Sequence, residues 1–144
     1  MTGVSGKSAV GGPAARANKM ASHRIGLGLS GIVVASLIAD ALVQIFAPAL
    51  LRADMDLAGF PLVMSPVSGS ILFLAVALYA VPRTSVLGAV VLTGFLGGAI
   101  AIHLRIGETS SLPQLISLLL GVAAWGGLYL RDARLRQLLP VVAS

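Results

Sequence analysis

Charged residues divide this chain into long uncharged runs. Residues 25–39 and 41–51 flank Asp40 without another charge, and residues 57–82, 84–104 and 109–130 carry none apart from His103. These runs lack the alternation of apolar and polar residues that marks barrel strands. A helix rises about 1.5 Å per residue, so a hydrocarbon core of about 30 Å takes roughly 20 apolar residues. The pattern therefore predicts four transmembrane helices, at about residues 25–50, 66–81, 86–103 and 115–130. The second span is short if Ser65 is its N-cap and Pro66 its first residue. A start near Pro61 with a kink at Pro66 lengthens it. The linker from Pro82 to Ser85 is so brief that the second and third spans must form an antiparallel hairpin.

Composition agrees with this pattern. Of the 144 residues 57% are hydrophobic and 10% charged, against roughly 45–50% and about 25% in soluble domains. Mean hydropathy is +0.98. A soluble domain of this length has too few polar groups to cover its surface, and a disordered chain is poor in apolar residues. The expected fold class is an all-α integral membrane four-helix bundle. There is no cysteine, so the chain performs no thiol–disulfide chemistry and ligates no metal through thiolate.

The expected organisation has three parts. Residues 1–24 form a disordered basic tail, residues 25–132 the four-helix transmembrane domain, and residues 133–144 a short basic C-terminal tail. Ala47-Pro48-Ala49 looks like a signal cleavage site, but the apolar run before it exceeds the roughly 7–15 residues of a signal core, so it is read as a span. With four spans, Lys7, Arg16, Lys19, Arg24, Arg83, Arg131, Arg134 and Arg136 share one side, and only Arg52 and Arg105 lie on the other. The excess of positive charge puts both termini in the cytoplasm of a bacterial inner membrane. Tyr79, Trp125 and Tyr129 then fall near the cytoplasmic ends of their spans, where aromatic belts lie. Anionic lipid accounts for the basic tail. The expected partners are the bilayer and either a membrane subunit or further copies of the chain, not nucleic acid.

Small residues decide contacts between helices in lipid. Gly31, Ala35 and Ala39 in the first span, and Gly94 and Gly98 in the third, recur every four residues. They predict close packing of the first helix on the third. Gly121, Ala124 and Gly126-Gly127 offer similar positions in the fourth span.

Asp40 is the conspicuous polar residue. It lies roughly 22 Å along the helix from Ile25, and a carboxylate at the bilayer centre costs about 2.5–3.5 kcal/mol. Gln44 follows one turn later on the same face. His103 lies roughly 26 Å from Val86, with Arg105 just beyond. Asp40, Gln44, His103 and Arg105 are therefore expected to form one polar cluster opening away from the cytoplasm. It reads either as a structural bridge between helices or as a site for a small polar ligand or quinone head group, with a proton relay as a further alternative. No catalytic residue and no metal ligand set is expected. Gly26-Leu27-Gly28 begins like a dinucleotide fingerprint, but no strand precedes it. Asp54 and Asp56 read as an exposed loop, and the two histidines fall at opposite membrane faces.

The second half resembles a known family. Residues 79–89, with Pro82-Arg83-Thr84-Ser85 at their centre, look like the second hairpin of the DoxX-like family. Thr93-Gly94-Phe95-Leu96-Gly97-Gly98-Ala99 followed by His103-Leu104-Arg105-Ile106-Gly107 is similar to its glycine-rich third helix and His-x-Arg-x-Gly ending. Gly127-Leu128-Tyr129-Leu130-Arg131 and the residues after it look like its C-terminal end, and Gly59-Phe60-Pro61 like its element before the second helix. Asp40 falls where such proteins often carry an acidic residue. The resemblance spans roughly residues 25–140. It implies a small four-helix membrane protein whose wider group is named after a subunit of a thiosulfate:quinone oxidoreductase, and hence a non-catalytic accessory subunit of a membrane redox or stress-response complex, with quinone as the implied cofactor. The alternative is a small proton-linked carrier. The sequence departs from the family pattern after Gly107, where Glu108-Thr109-Ser110-Ser111-Leu112-Pro113 replaces a more apolar, often histidine-bearing loop.

Overall fold

In the computed structural model, which describes residues 12–138, six α-helices follow one another: α1 (Pro13–Phe46), α2 (Arg52–Ala58), α3 (Ser65–Ala80), α4 (Ser85–Arg105), α5 (Leu112–Arg131) and α6 (Ala133–Leu138). No strand occurs among the described residues. Helices α1, α4 and α5, and α3 taken together with the 3₁₀ turn over Leu62–Met64 that precedes it, are long and apolar enough to cross a membrane, so the protein is a helical membrane bundle.

Proline and glycine set most of the boundaries. Pro13 opens α1 and Pro113 sits in the first turn of α5, where a missing N–H costs nothing. Pro48 forces Ala47 out of the helical region and ends α1. Gly59 (φ 71°) closes α2 in the left-handed conformation, and Gly107 (φ 83°) follows α4 in the same way. At the start of α5 the side chain of Gln114 reaches back to accept the Ser111 N–H at 3.0 Å, one half of a capping box.

Three expectations about these elements change. Residues 13–24 are not a disordered tail but the first turns of α1, because Pro13 starts a stretch of good helix formers, Ala, Arg, Lys and Met. The rest of that expected tail, residues 1–11, lies outside the described residues. Asp54 and Asp56 stand on α2, not in a loop. Ser65 is the first residue of α3 rather than its cap. A 3₁₀ turn over Leu62–Met64 leads into it, and its hydroxyl donates to the carbonyl of Gln44 on α1 at 3.0 Å.

Helix α1 packs on α3 and α5, and α4 packs on the same two. Helices α1 and α4 therefore occupy opposite corners of the bundle, which overturns the expected packing of the first span on the third. A narrow buried stripe supplies the core: Val33, Leu37 and Ala41 on α1, Leu72, Ala75, Val76 and Tyr79 on α3, Ala89, Leu92 and Leu96 on α4, and Ala124 and Leu128 on α5. The spacing of three and four is that of one helical face. The remaining faces are apolar as well. Ile32, Leu74, Leu118 and Val122 are largely exposed, as lipid-facing side chains are.

Of the glycines expected at helix contacts, Gly127 makes a close approach, and further ones fall on Gly26, Gly69 and Gly88. A Cβ on Gly88 of α4 would land on the backbone of Tyr79, and one on Gly69 of α3 would lie 2.7 Å from the Gln44 Cβ. A Cβ on Gly26 would come within 2.8 Å of the Arg131 nitrogen, and one on Gly127 within 2.7 Å of the Ser30 Oγ. Gly31, Gly94 and Gly98 have nothing within reach of an added Cβ, and Ala35 is exposed. Those four residues face outward, and no other described residue packs closely on them.

Tyr79 is wholly buried and holds three helices together. Its hydroxyl donates to the carbonyl of Ala124 at 2.8 Å and lies 3.0 Å from the Oγ of Ser30. The guanidinium of Arg131 stacks over its ring at 4.9 Å and donates to its carbonyl at 2.9 Å. Tyr79 is therefore a core residue and not part of an interfacial belt. Trp125 is also engaged, donating its ring N–H to the Thr93 hydroxyl at 2.9 Å and so joining α5 to α4.

Candidate functional site

The four expected polar residues divide into two groups at opposite corners. On α1, the amide of Gln44 donates to a carboxylate oxygen of Asp40 at 3.0 Å, across one helical turn. Gln44 is itself buried, with its backbone carbonyl taken by Ser65 and its Cβ wedged against Gly69. Asp40 is exposed on the outside of the bundle, six residues and so about 9 Å from the end of α1 at Phe46.

On α4, His103 does not meet Asp40. Its Nδ1 lies 2.7 Å from an Oε of Glu108, while the Glu108 N–H returns to the His103 carbonyl at 3.0 Å. The left-handed turn at Gly107 folds the chain back so that these two side chains meet. Glu108 supplies the partner that Asp40 was expected to provide. Arg105 is exposed at the end of α4. Rise along a helix fixes depth but not azimuth, and Asp40 and His103 sit on helices that the bundle holds apart.

The outward surface of α1 is distinctive. Gly31, Ala35 and Ala39 run along it at one-turn intervals, with Ser36 and Asp40 beside them, and all five are exposed. Two hollows lie elsewhere on the bundle surface. One is an apolar groove of about 630 Å³ between α4 and α5, walled by Leu96, Leu118, Trp125 and Tyr129 and opened by Gly97 and Gly126. The other, of about 510 Å³, lies where α1, the α3–α4 turn and the α5–α6 junction meet, and is rich in arginine. Its anchor, Arg131 on Tyr79, went unread in the sequence, where Arg131 was only one of several charges at a helix end. Among the described residues no group of three or more His, Cys, Asp or Glu stands close enough to hold a metal ion.

Neither a curated protein nor a solved structure matches the chain. Residues 28–127 match the DoxX-like family. That stretch runs from the middle of α1 to the glycine that packs on Ser30, and it covers well over half of the molecule. With four apolar crossings and the hairpin at Pro82–Ser85 in place, the chain belongs to the DoxX-like family, a membrane protein family without an assigned activity.

Proposed function

We propose that the protein is a non-catalytic accessory subunit of a membrane redox complex in a bacterial inner membrane, with both termini cytoplasmic, and that it docks through the outward face of α1. The observation that carries this reading is the position of Asp40. A carboxylate on the lipid side of a span is costly, and a single glutamine amide answers only part of its hydrogen-bonding capacity. A second membrane helix laid along Gly31, Ala35 and Ala39 meets both needs, since small residues admit close approach and a buried donor completes the carboxylate. The redox assignment rests on analogy with the wider group, which is named after a subunit of a thiosulfate:quinone oxidoreductase. A quinone, as the implied cofactor, fits the α4–α5 groove better than the separated Asp40 and His103, because that groove is apolar and lined by the aromatic side chains of Trp125 and Tyr129.

Purified from native membranes in mild detergent, the protein should retain a partner at fixed stoichiometry. Ala35→Phe and Asp40→Leu should each reduce that retention about tenfold, as loss of an interhelical contact worth 1–2 kcal/mol does. Both side chains are exposed, so folding should be unchanged. Val122→Phe, on the exposed face of α5, should retain the partner. Release of the protein without a partner, or equal retention by all variants, would overturn the reading.

The rival carrier reading also turns on Asp40, which must then exchange a proton between the two sides. Asp40→Asn would abolish proton-coupled uptake by vesicles if it held. Because Asp40 lies on the outside of the bundle rather than along a path through it, no such uptake is expected from either form.

A further inference from the structure

We infer that the hollow at the basic end of the bundle is a binding site for a phosphate-bearing anion. Three elements converge on it: His23 and Leu27 from α1, the turn from Val81 to Ser85, and Arg131, Asp132 and Arg134 from the α5–α6 junction. Its charged groups are Arg83, Arg131 and Arg134 against the single carboxylate of Asp132. Among the described residues no ion pair joins that carboxylate to any of the three arginines. Asp132 instead accepts the backbone N–H of Arg134 at 2.9 Å. The cavity thus keeps an excess of two positive charges with His23 neutral.

Arginines that merely snorkel spread outward around a membrane surface. Here Arg131 is drawn inward, fixed over the Tyr79 ring and bonded to the Tyr79 carbonyl. That bond uses one of its five N–H donors. Arg83, from the α3–α4 turn, and Arg134, three residues after Arg131, are exposed and line the same hollow. A guanidinium fork matches the geometry of phosphate oxygens, and three of them around one concavity form a cradle for such a group. About 510 Å³ is within the usual range of a small-molecule site. The phosphate has two possible sources, the head group of an anionic lipid reached from the membrane or a soluble phosphate reached from water.

The test uses the full chain in nanodiscs and compares wild type with Arg83→Gln/Arg134→Gln. In mixed phosphatidylglycerol and phosphatidylcholine discs, native mass spectrometry counts the lipid that stays bound. In phosphatidylcholine discs alone, calorimetry follows titration with inorganic phosphate. A preference for phosphatidylglycerol that falls about 30-fold in the double variant, at a factor of about five per arginine, assigns the site to lipid. Saturable phosphate binding lost in the same variant assigns it to a soluble anion. The variant Arg83→Lys/Arg134→Lys, which keeps the charge and loses the fork, should recover only part of either signal, and Arg24→Gln, at the same end but outside the hollow, should leave both intact. Absence of both signals in wild type overturns the inference, as does either signal surviving in Arg83→Gln/Arg134→Gln.

Discussion

Gly88→Ala should leave most of the protein unfolded in detergent at a temperature where wild type is intact. The added methyl would occupy the space held by the backbone of Tyr79. A flexible side chain can step aside, but the backbone of a packed helix cannot. Helices α3 and α4 are joined by only a few residues, so the crossing cannot slide to relieve the clash. Overpacking costs about 1–3 kcal/mol where side chains adjust, and at this crossing the loss should reach or exceed about 3 kcal/mol. Gly94→Ala, two turns further along α4, is the matched control. Nothing lies near its added methyl, and alanine is favoured over glycine inside a helix by roughly 0.5–1 kcal/mol. Thermal unfolding followed by circular dichroism should separate the two variants, with Gly94→Ala at or slightly above wild type. Equal melting of the two would disprove the close crossing.

Tyr79→Phe should give the second large effect, about 1–2 kcal/mol, at the upper end of measured hydrogen-bond contributions in membrane bundles. The ring and its packing remain, so the loss isolates the hydroxyl. That oxygen serves Ser30 on α1 and Ala124 on α5 together, and all the groups involved are buried. Ser30→Ala should cost less, because the tyrosine then keeps its bond to the Ala124 carbonyl. The double variant should melt close to Tyr79→Phe alone, since both changes remove the same contact. Additive losses would show that the two groups act separately.

The difference between depth and azimuth explains what the sequence reveals and what it hides. Uncharged runs identify the four spans, and prolines at positions 48, 66 and 113 lie close to three helix boundaries. The brevity of the hairpin at Pro82–Ser85 fixes α4 beside α3. All these features depend on position along the chain. Which face of each helix turns inward is another matter. In water the polar face of a helix points outward and gives the answer, but here Ile32 and Leu37 are equally apolar, one exposed and the other buried. Small residues carry the same ambiguity. Gly88 and Gly94 look alike in the sequence, and only the bundle shows that one touches a backbone and the other does not. Rise along the helices suggests a pairing of Asp40 with His103, and nothing in the sequence says that their helices stand at opposite corners. Glu108 was available as the true partner of His103, five residues away. Its place in an irregular turn gave no periodic signal.

The contact made by Tyr79 also orders events in time. Ser30 is synthesised early and Tyr79 midway, but the Ala124 carbonyl belongs to the last span. A nascent chain that has already inserted α1, α3 and α4 therefore still holds its central hydroxyl without its full set of partners. The Arg131 guanidinium, which lies over the same ring, arrives later still. Locking waits for translation to approach the end of α5. A product cut short before Ala124 would be a hairpin and a lone helix with an orphaned polar centre, the kind of loosely held assembly that membrane proteases extract. Completeness of the chain is thus read out by one phenol.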